Sequence, residues 1–121
     1  MRVLLAEDEP DIQLITRLAL EGSGCTVVAV EDGWAALEAA AEQDFDVVLL
    51  DVMMPRLDGF TACARLHEDA RTRDLPVIFL TAKAQEGEIE HGLALGARGY
   101  IVKPFDVFSL AERISAILGQ R

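Results

Sequence analysis

Several polar residues in this sequence share one kind of neighbourhood: each comes directly after a short aliphatic run. Glu7 and Asp8 follow Val3-Leu4-Leu5-Ala6, and Asp51 follows Val47-Val48-Leu49-Leu50. Thr81 follows Val77-Ile78-Phe79-Leu80, and Lys103 follows Tyr100-Ile101-Val102. Together these side chains have the chemistry needed to handle a phosphoryl group. An Asp carboxylate can attack phosphorus to form an acyl phosphate. A Lys ammonium and a Thr hydroxyl can neutralise and hydrogen-bond the oxygens of the group in transfer. Carboxylates without sulfur or imidazole partners suit a hard cation such as Mg²⁺, which keeps several waters and bridges to phosphate. Taken singly, each residue is ordinary, since acidic pairs often cap helices and Lys-Pro is a common turn. The argument rests on their joint placement.

The elements that must position them alternate along the chain. Strands are expected at Val3–Ala6, Thr26–Val30, Val47–Leu50, Val77–Leu80 and Tyr100–Val102. Helices are expected from about Asp11 to Glu21, from Trp34 to Glu42, through Ala62 and Leu66, from Glu86 to Leu95, and from Val107 to Leu118. The first helix carries Ile12, Ile15, Leu18 and Ala19 at helical spacing, and the last carries Val107, Leu110, Ile114, Ile117 and Leu118. The continuous aliphatic run before Asp51 suits a central parallel strand covered on both faces. Five strand–helix units with short connections predict an α/β fold, a doubly wound parallel sheet with right-handed crossovers, as one domain over residues 1–121. In the strand order 2-1-3-4-5, strands one and three are neighbours, and ligands bind at the carboxyl edge where the order reverses. Glu7, Asp8 and Asp51 then converge at that edge.

Convergence is costly. Two carboxylates about 4 Å apart repel by roughly 4 kcal/mol at an effective dielectric near 20. Several such pairs rival the ~5–15 kcal/mol stability of a whole domain, so a proton or a cation must relieve them. The charge distribution points the same way. The net charge is −10, and residues 1–60 hold thirteen acids against Arg2, Arg17 and Arg56, whereas the second half is balanced. A chain of this charge with no basic stripe is a poor nucleic-acid binder.

No apolar run is long enough to span a bilayer, and Glu7-Asp8-Glu9 cuts the first one too short for a signal peptide. A cytoplasmic protein is expected. Cys25 and Cys63 form no CxxC pattern and read as small apolar residues. His67 and His91 lack partners at metal spacing and are expected on helix surfaces.

The residues Glu7-Asp8, Asp51, Met54-Pro55, Gly59, Thr81-Ala82, Gly96-Ala97, Tyr100 and Lys103-Pro104-Phe105 resemble, in order and spacing, the response-regulator receiver family of two-component signalling, over essentially the whole chain. The resemblance implies the flavodoxin-like (βα)5 fold and a phosphoprotein that takes a phosphoryl group from a histidine kinase phosphohistidine, or from a phosphotransfer protein in a phosphorelay. By that resemblance Asp51 is the phospho-acceptor. Asp8 is a direct Mg²⁺ ligand (Mn²⁺ would serve), Glu7 acts through water, and Met53 binds through its backbone carbonyl. Thr81 bonds a phosphoryl oxygen, Lys103 pairs with phosphoryl and carboxylate charge, and Tyr100 is the rotameric partner that senses Thr81. Met53 and Lys83, each two residues after a site residue, tune the phosphoryl lifetime. The Lys103–Pro104 bond is expected to be cis.

Phosphorylation is implied to draw Thr81 inward and to shift the face of helix four, strand five and helix five, with Tyr100 and Phe108 on it. That face would meet a downstream protein target or output domain, or a second copy on phosphorylation. Such a chain is not a conventional enzyme, although it catalyses its own phosphorylation and slow autodephosphorylation.

Other readings fit less well. A flavodoxin-type carrier needs a Ser/Thr/Gly-rich loop where this chain has Ala6-Glu7-Asp8-Glu9-Pro10, and a dinucleotide enzyme needs GxGxxG there. An aspartyl-phosphate phosphatase typically has a second acid where Met53 stands. The chain reads as a stand-alone regulator. The alternative is the excised N-terminal receiver of a longer DNA-binding transcriptional regulator, although Arg98-Gly99 replaces an acidic pair often found in those receivers.

Overall fold

A computed structural model describes residues 1–83 and 85–119. Five strands, β1 (Arg2–Ala6), β2 (Thr26–Val30), β3 (Val47–Asp51), β4 (Val77–Thr81) and β5 (Gly99–Val102), alternate with five helices. The helices are α1 (Pro10–Gly22), α2 (Gly33–Glu42), α3 (Gly59–Glu68), α4 (Glu86–Ala94) and α5 (Leu110–Leu118). The strands form one parallel sheet in the order β2-β1-β3-β4-β5. This is the expected doubly wound architecture.

Side chains alternate across each central strand, as a period of two requires. Leu4, Val48, Leu50, Val77 and Phe79 join Ala36, Ala39, Ala62, Cys63 and Leu66 in a core with α2 and α3. Val3, Leu5, Val47, Leu49, Ile78 and Leu80 join Leu20 of α1 and Leu110 and Ile114 of α5 on the other side. Every residue of β3 and β4 is buried, which explains why both runs are continuously aliphatic. Asp51 and Thr81 are the last residues of their strands, paired in register with Leu80 and Val102. Strand hydrogen bonding therefore sets both backbones, where the sequence pattern had placed them just outside.

Other elements depart from expectation. The buried residues of α1 are Thr16 and Leu20, whereas Ile15 and Leu18 are about half exposed, as is Leu14. Thr16 can face the core because its hydroxyl donates to the Ile12 carbonyl at 2.6 Å, so no polar group is left unpaired. Helix α5 starts three residues late, at Leu110. Before it, Asp106 Oδ1 accepts from the Phe108 amide (2.9 Å) and the Asp106 carbonyl accepts from the Ser109 amide (3.2 Å), closing a turn instead.

Candidate functional site

Residues from three strand ends meet at the carboxyl edge of the sheet. Lys103 Nζ donates to Glu7 Oε1 at 2.7 Å and to Asp51 Oδ2 at 2.9 Å. All three side chains are withdrawn from solvent, Glu7 completely. Glu7, Asp8 and Asp51 can each offer an oxygen within 4.8 Å of the others. One Lys serves two carboxylates directly, so negative charge remains in excess, and the buried Glu7 Oε2 has no hydrogen-bond partner among the described residues.

The electrostatics follow. Burial, together with the neighbouring Asp51 carboxylate, pushes Glu7 up to about 8, against the pull of Lys103. Burial alone would lower Lys103, but its hydrogen bonds to Glu7 and Asp51 outweigh it, and the ammonium is held above its ordinary range. The cluster satisfies itself either by keeping a proton on Glu7 or by taking up a cation. Its all-oxygen donor set and the orphaned buried oxygen fit a hard divalent ion.

The β3–α3 loop that follows Asp51 is tied down on two sides. Asp51 Oδ1 accepts from the Met53 amide at 3.2 Å. A Cβ at Gly59 would lie 2.2 Å from the Asp51 carbonyl, so only glycine lets α3 start this close to β3. On the far side Arg56, a non-glycine residue with φ of 66°, bonds Asp32 through its guanidinium. Asp32 also caps α2 by accepting from the Ala35 amide at 2.8 Å. That bond, with Arg56, holds Asp32 below the usual carboxylate range. Sequence reasoning missed this pair, because its partners are 24 residues apart.

Thr81 is brought to the same edge, but its hydroxyl faces α4. Thr81 Oγ1 lies 2.7 Å from Glu88 Oε1 and 2.9 Å from the Lys83 carbonyl, and it accepts from the Lys83 amide at 3.1 Å. Tyr100 Oη donates to the Glu88 carbonyl at 2.6 Å. Burial, with the charge of Glu88 next, pushes the Tyr100 phenol up to about 12. Glu88 thus stands between the two residues expected to sense one another. Sequence reasoning missed it, because an acid in the first turn of a helix reads as a dipole partner.

The remaining expected residues sit apart. Met53 and Lys83 are exposed, Met53 to 78 %. Phe108 is 92 % exposed, and it lines a shallow pocket with Leu18, Ala19, Gly22 and Ser23. Its neighbours belong to the α1 side, whereas the sequence reading had set it on the face of α4, β5 and α5. The Lys103–Pro104 bond is cis, as expected. His91 is exposed, but His67 is half-buried, with Nδ1 2.9 Å from the Cys63 carbonyl. Burial pushes the Cys63 thiol up to about 12, which suits an inert core residue.

The family described as response regulator receiver domain matches residues 3–115. The chain belongs to that family. This receiver is 42% identical over 118 residues to the transcriptional activator protein IrlR of Burkholderia pseudomallei, covering 98% of the chain and 50% of that protein. It spans about half the length of IrlR and of several other transcriptional regulators it matches. Protein PilH of Pseudomonas aeruginosa differs: at 38% identity, 97% of each chain is covered. Among solved structures, the receiver domain of the Pseudomonas aeruginosa sensor histidine kinase PA1611 superposes with a TM-score of 0.89 at 34% identity, over 98% of both chains. That structure has a magnesium ion coordinated in its active site cleft. The chemotaxis protein CheY4 of Vibrio cholerae gives a TM-score of 0.91 at 29% identity, over 96% of this receiver and 97% of that chain. Among the described residues no helix is long and apolar enough to cross a membrane.

Proposed function

We propose that residues 1–121 form one cytoplasmic receiver domain in which Asp51 accepts a phosphoryl group from a phosphohistidine on a histidine kinase or phosphotransfer protein. The observation that carries this reading is the buried Glu7–Lys103–Asp51 arrangement with its unpartnered carboxylate oxygen. An Asp51 carboxylate oxygen forms the new P–O bond, the P–N bond to imidazole breaks, and the imidazole leaves with the bonding pair. Lys103 offsets the added phosphoryl charge, and Thr81 bonds a phosphoryl oxygen once its hydroxyl turns away from α4. Asp8, Asp51 and the Met53 carbonyl would hold Mg²⁺ (or Mn²⁺), with Glu7 acting through water. When bound, the ion supplies charge stabilisation for the phosphoryl oxygens.

Water attack on the acyl phosphate then returns Asp51 and releases inorganic phosphate. Met53 occupies the position where aspartyl-phosphate phosphatases resemble DxD, so no second acid assists that water. With bulky Met53 and cationic Lys83 flanking its path, the phosphoryl state is long-lived. Loss of label from isolated phosphoprotein within seconds would contradict this.

Incubation with acetyl phosphate and Mg²⁺ should add one phosphoryl group by intact mass. The adduct should vanish in Asp51→Asn and when Mg²⁺ is removed. An unchanged adduct in Asp51→Asn would overturn the assignment.

The phosphodonor domain has a surface to sit on. Ile12, Ile15 and Thr16 of α1 line one pocket with Lys103, Pro104, Phe105 and Val107, so apolar surface runs up to the site itself. A second reading concerns the output. IrlR and its relatives favour an excised receiver of a longer DNA-binding regulator, and PilH favours a regulator of this length acting through protein contacts. In either case the face of α4, β5 and α5 carries the signal to a downstream protein, an output domain or a second copy of the chain.

A further inference from the structure

We infer that Glu88 is a latch that holds the unphosphorylated chain in its resting state by occupying Thr81 and Tyr100 together; this rests on the phospho-acceptor role proposed for Asp51. Thr81 has one hydroxyl proton, and among the described residues the acceptors within its reach are Glu88 Oε1 on α4 and the Lys83 carbonyl in the loop before that helix. Bonding a phosphoryl oxygen on Asp51 requires that proton, so Thr81 must first leave Glu88. The same residue accepts Tyr100 Oη on its backbone carbonyl. Releasing the side chain therefore loosens the first turn of α4, where the Tyr100 hydroxyl is anchored.

Several features of the chain build this latch. Glu88 is the third residue of α4, after the N-cap Gln85, and side chains there lean towards the helix N-terminus. A Glu at this position ordinarily reaches back to the N-cap amide; here Oε1 is taken by Thr81. Gly92, one turn on, leaves the room that Tyr100 needs, because a Cβ there would lie 2.1 Å from Tyr100 Oη. The Tyr100 ring is steadied against Phe79, with centroids 5.4 Å apart. Charge makes the latch responsive. Glu88 is a carboxylate bonded to Thr81, the residue that must turn towards a phosphoryl group carrying further negative charge. Phosphorylation therefore repels Glu88 while it offers Thr81 a new acceptor, and both effects favour the same displaced state.

The sequence has a single tyrosine, so a chain grown with 3-fluorotyrosine reports Tyr100 alone. Trifluoroberyllate with Mg²⁺, a stable mimic of the phosphoryl group, should move its fluorine resonance in wild type and leave it in place in Asp51→Asn. Glu88→Ala should move the resonance in the same direction without the mimic. It should also bind the mimic about tenfold more tightly, a change of about 1.4 kcal/mol. Glu88→Gln keeps an acceptor for Thr81 but loses the charge, and should shift both readouts by a smaller amount in the same direction. A Glu88→Ala resonance at the wild-type position with unchanged affinity overturns the latch and leaves the receiver chemistry standing. A wild type that ignores the mimic brings down both. If Glu88→Ala does not fold, Glu88→Gln decides, and affinity no tighter than wild type overturns the latch.

Discussion

At the scale of single residues, the governing fact is that one ammonium serves buried carboxylates that outnumber it. Glu7 carries the consequence. Its carboxyl is pushed up to about 8 in the fold from an ordinary value of 4.5. Between those limits the folded chain holds the proton more tightly than the unfolded chain, so without Mg²⁺ stability falls as pH rises. The contribution is complete below about 4.5 and is lost as pH passes through about 8. Thermal unfolding should show a metal-free melting temperature several degrees lower at pH 8 than at pH 6. Mg²⁺ should restore more at pH 8, where a proton competes with it less, and Glu7→Gln should flatten the metal-free dependence. Above pH 8, where Glu7 is ionised as well, Asp51→Asn without Mg²⁺ should raise stability. It removes a repulsion of roughly 4 kcal/mol per close carboxylate pair and weakens a charged hydrogen bond worth about 1.5–3 kcal/mol. A net gain of about 1–2 kcal/mol by denaturant unfolding is expected, and a clear loss would mean that the cluster is not strained by its charge. The sequence showed the members of this cluster because each stands at the end of an aliphatic run. It did not show Glu88 or Arg56, whose roles come from a partner that only the fold brings near.

Among the elements, α1 and α3 show which residues are readable from pattern and which are not. An apolar stripe does not say which side is in. On α1 two overlapping stripes exist, and the one containing Thr16 and Leu20 is buried because the Thr16 hydroxyl bonds within the helix. Leu20→Ala should therefore cost about 2–5 kcal/mol, whereas Leu18→Ala should stay within about 1 kcal/mol, as surface changes do. Equal costs by denaturant unfolding would return the helix to the orientation its stripe suggested. The outward face is the one proposed above for the phosphodonor. Ile15→Ser should slow phosphotransfer from a phosphohistidine protein several-fold and leave acetyl phosphate labelling unchanged, because only a protein donor must lie across α1. For α3, Gly59→Ala drives a methyl group into the Asp51 carbonyl. Overpacking typically costs about 1–3 kcal/mol, and here the displaced backbone carries the proposed acceptor, so labelling of Asp51 should fall with stability. Gly59 is legible in the sequence as part of a family pattern; its reason, the closeness of a strand end to a helix start, lies in the fold.

For the molecule as a whole, the field is set by a net charge of −10 with the excess in the first half of the chain. That half supplies β1 and β3, the strands whose ends hold Glu7, Asp8 and Asp51. Such a field attracts cations and repels phosphates, yet an anionic small phosphodonor must approach it. With Mg²⁺ kept saturating, so that metal binding is not the variable, salt should then accelerate labelling. The Debye length falls from about 30 Å at 0.01 M to about 10 Å at 0.1 M. At the lower salt the whole acidic half opposes the donor, and at the higher salt only the groups beside Asp51 do. The initial rate with acetyl phosphate should rise about two- to threefold across that range. Phosphoramidate, which carries less negative charge, should respond less. The two donors differ in charge but meet the same Asp51, so a difference in their salt dependence isolates the long-range field from the chemistry. Equal responses would place the barrier in the local arrangement of Lys103, Glu7 and Asp51 alone. A rate that falls with salt would mean that the approach is governed by Lys103, the one ammonium in the cluster, and not by the acidic half around it.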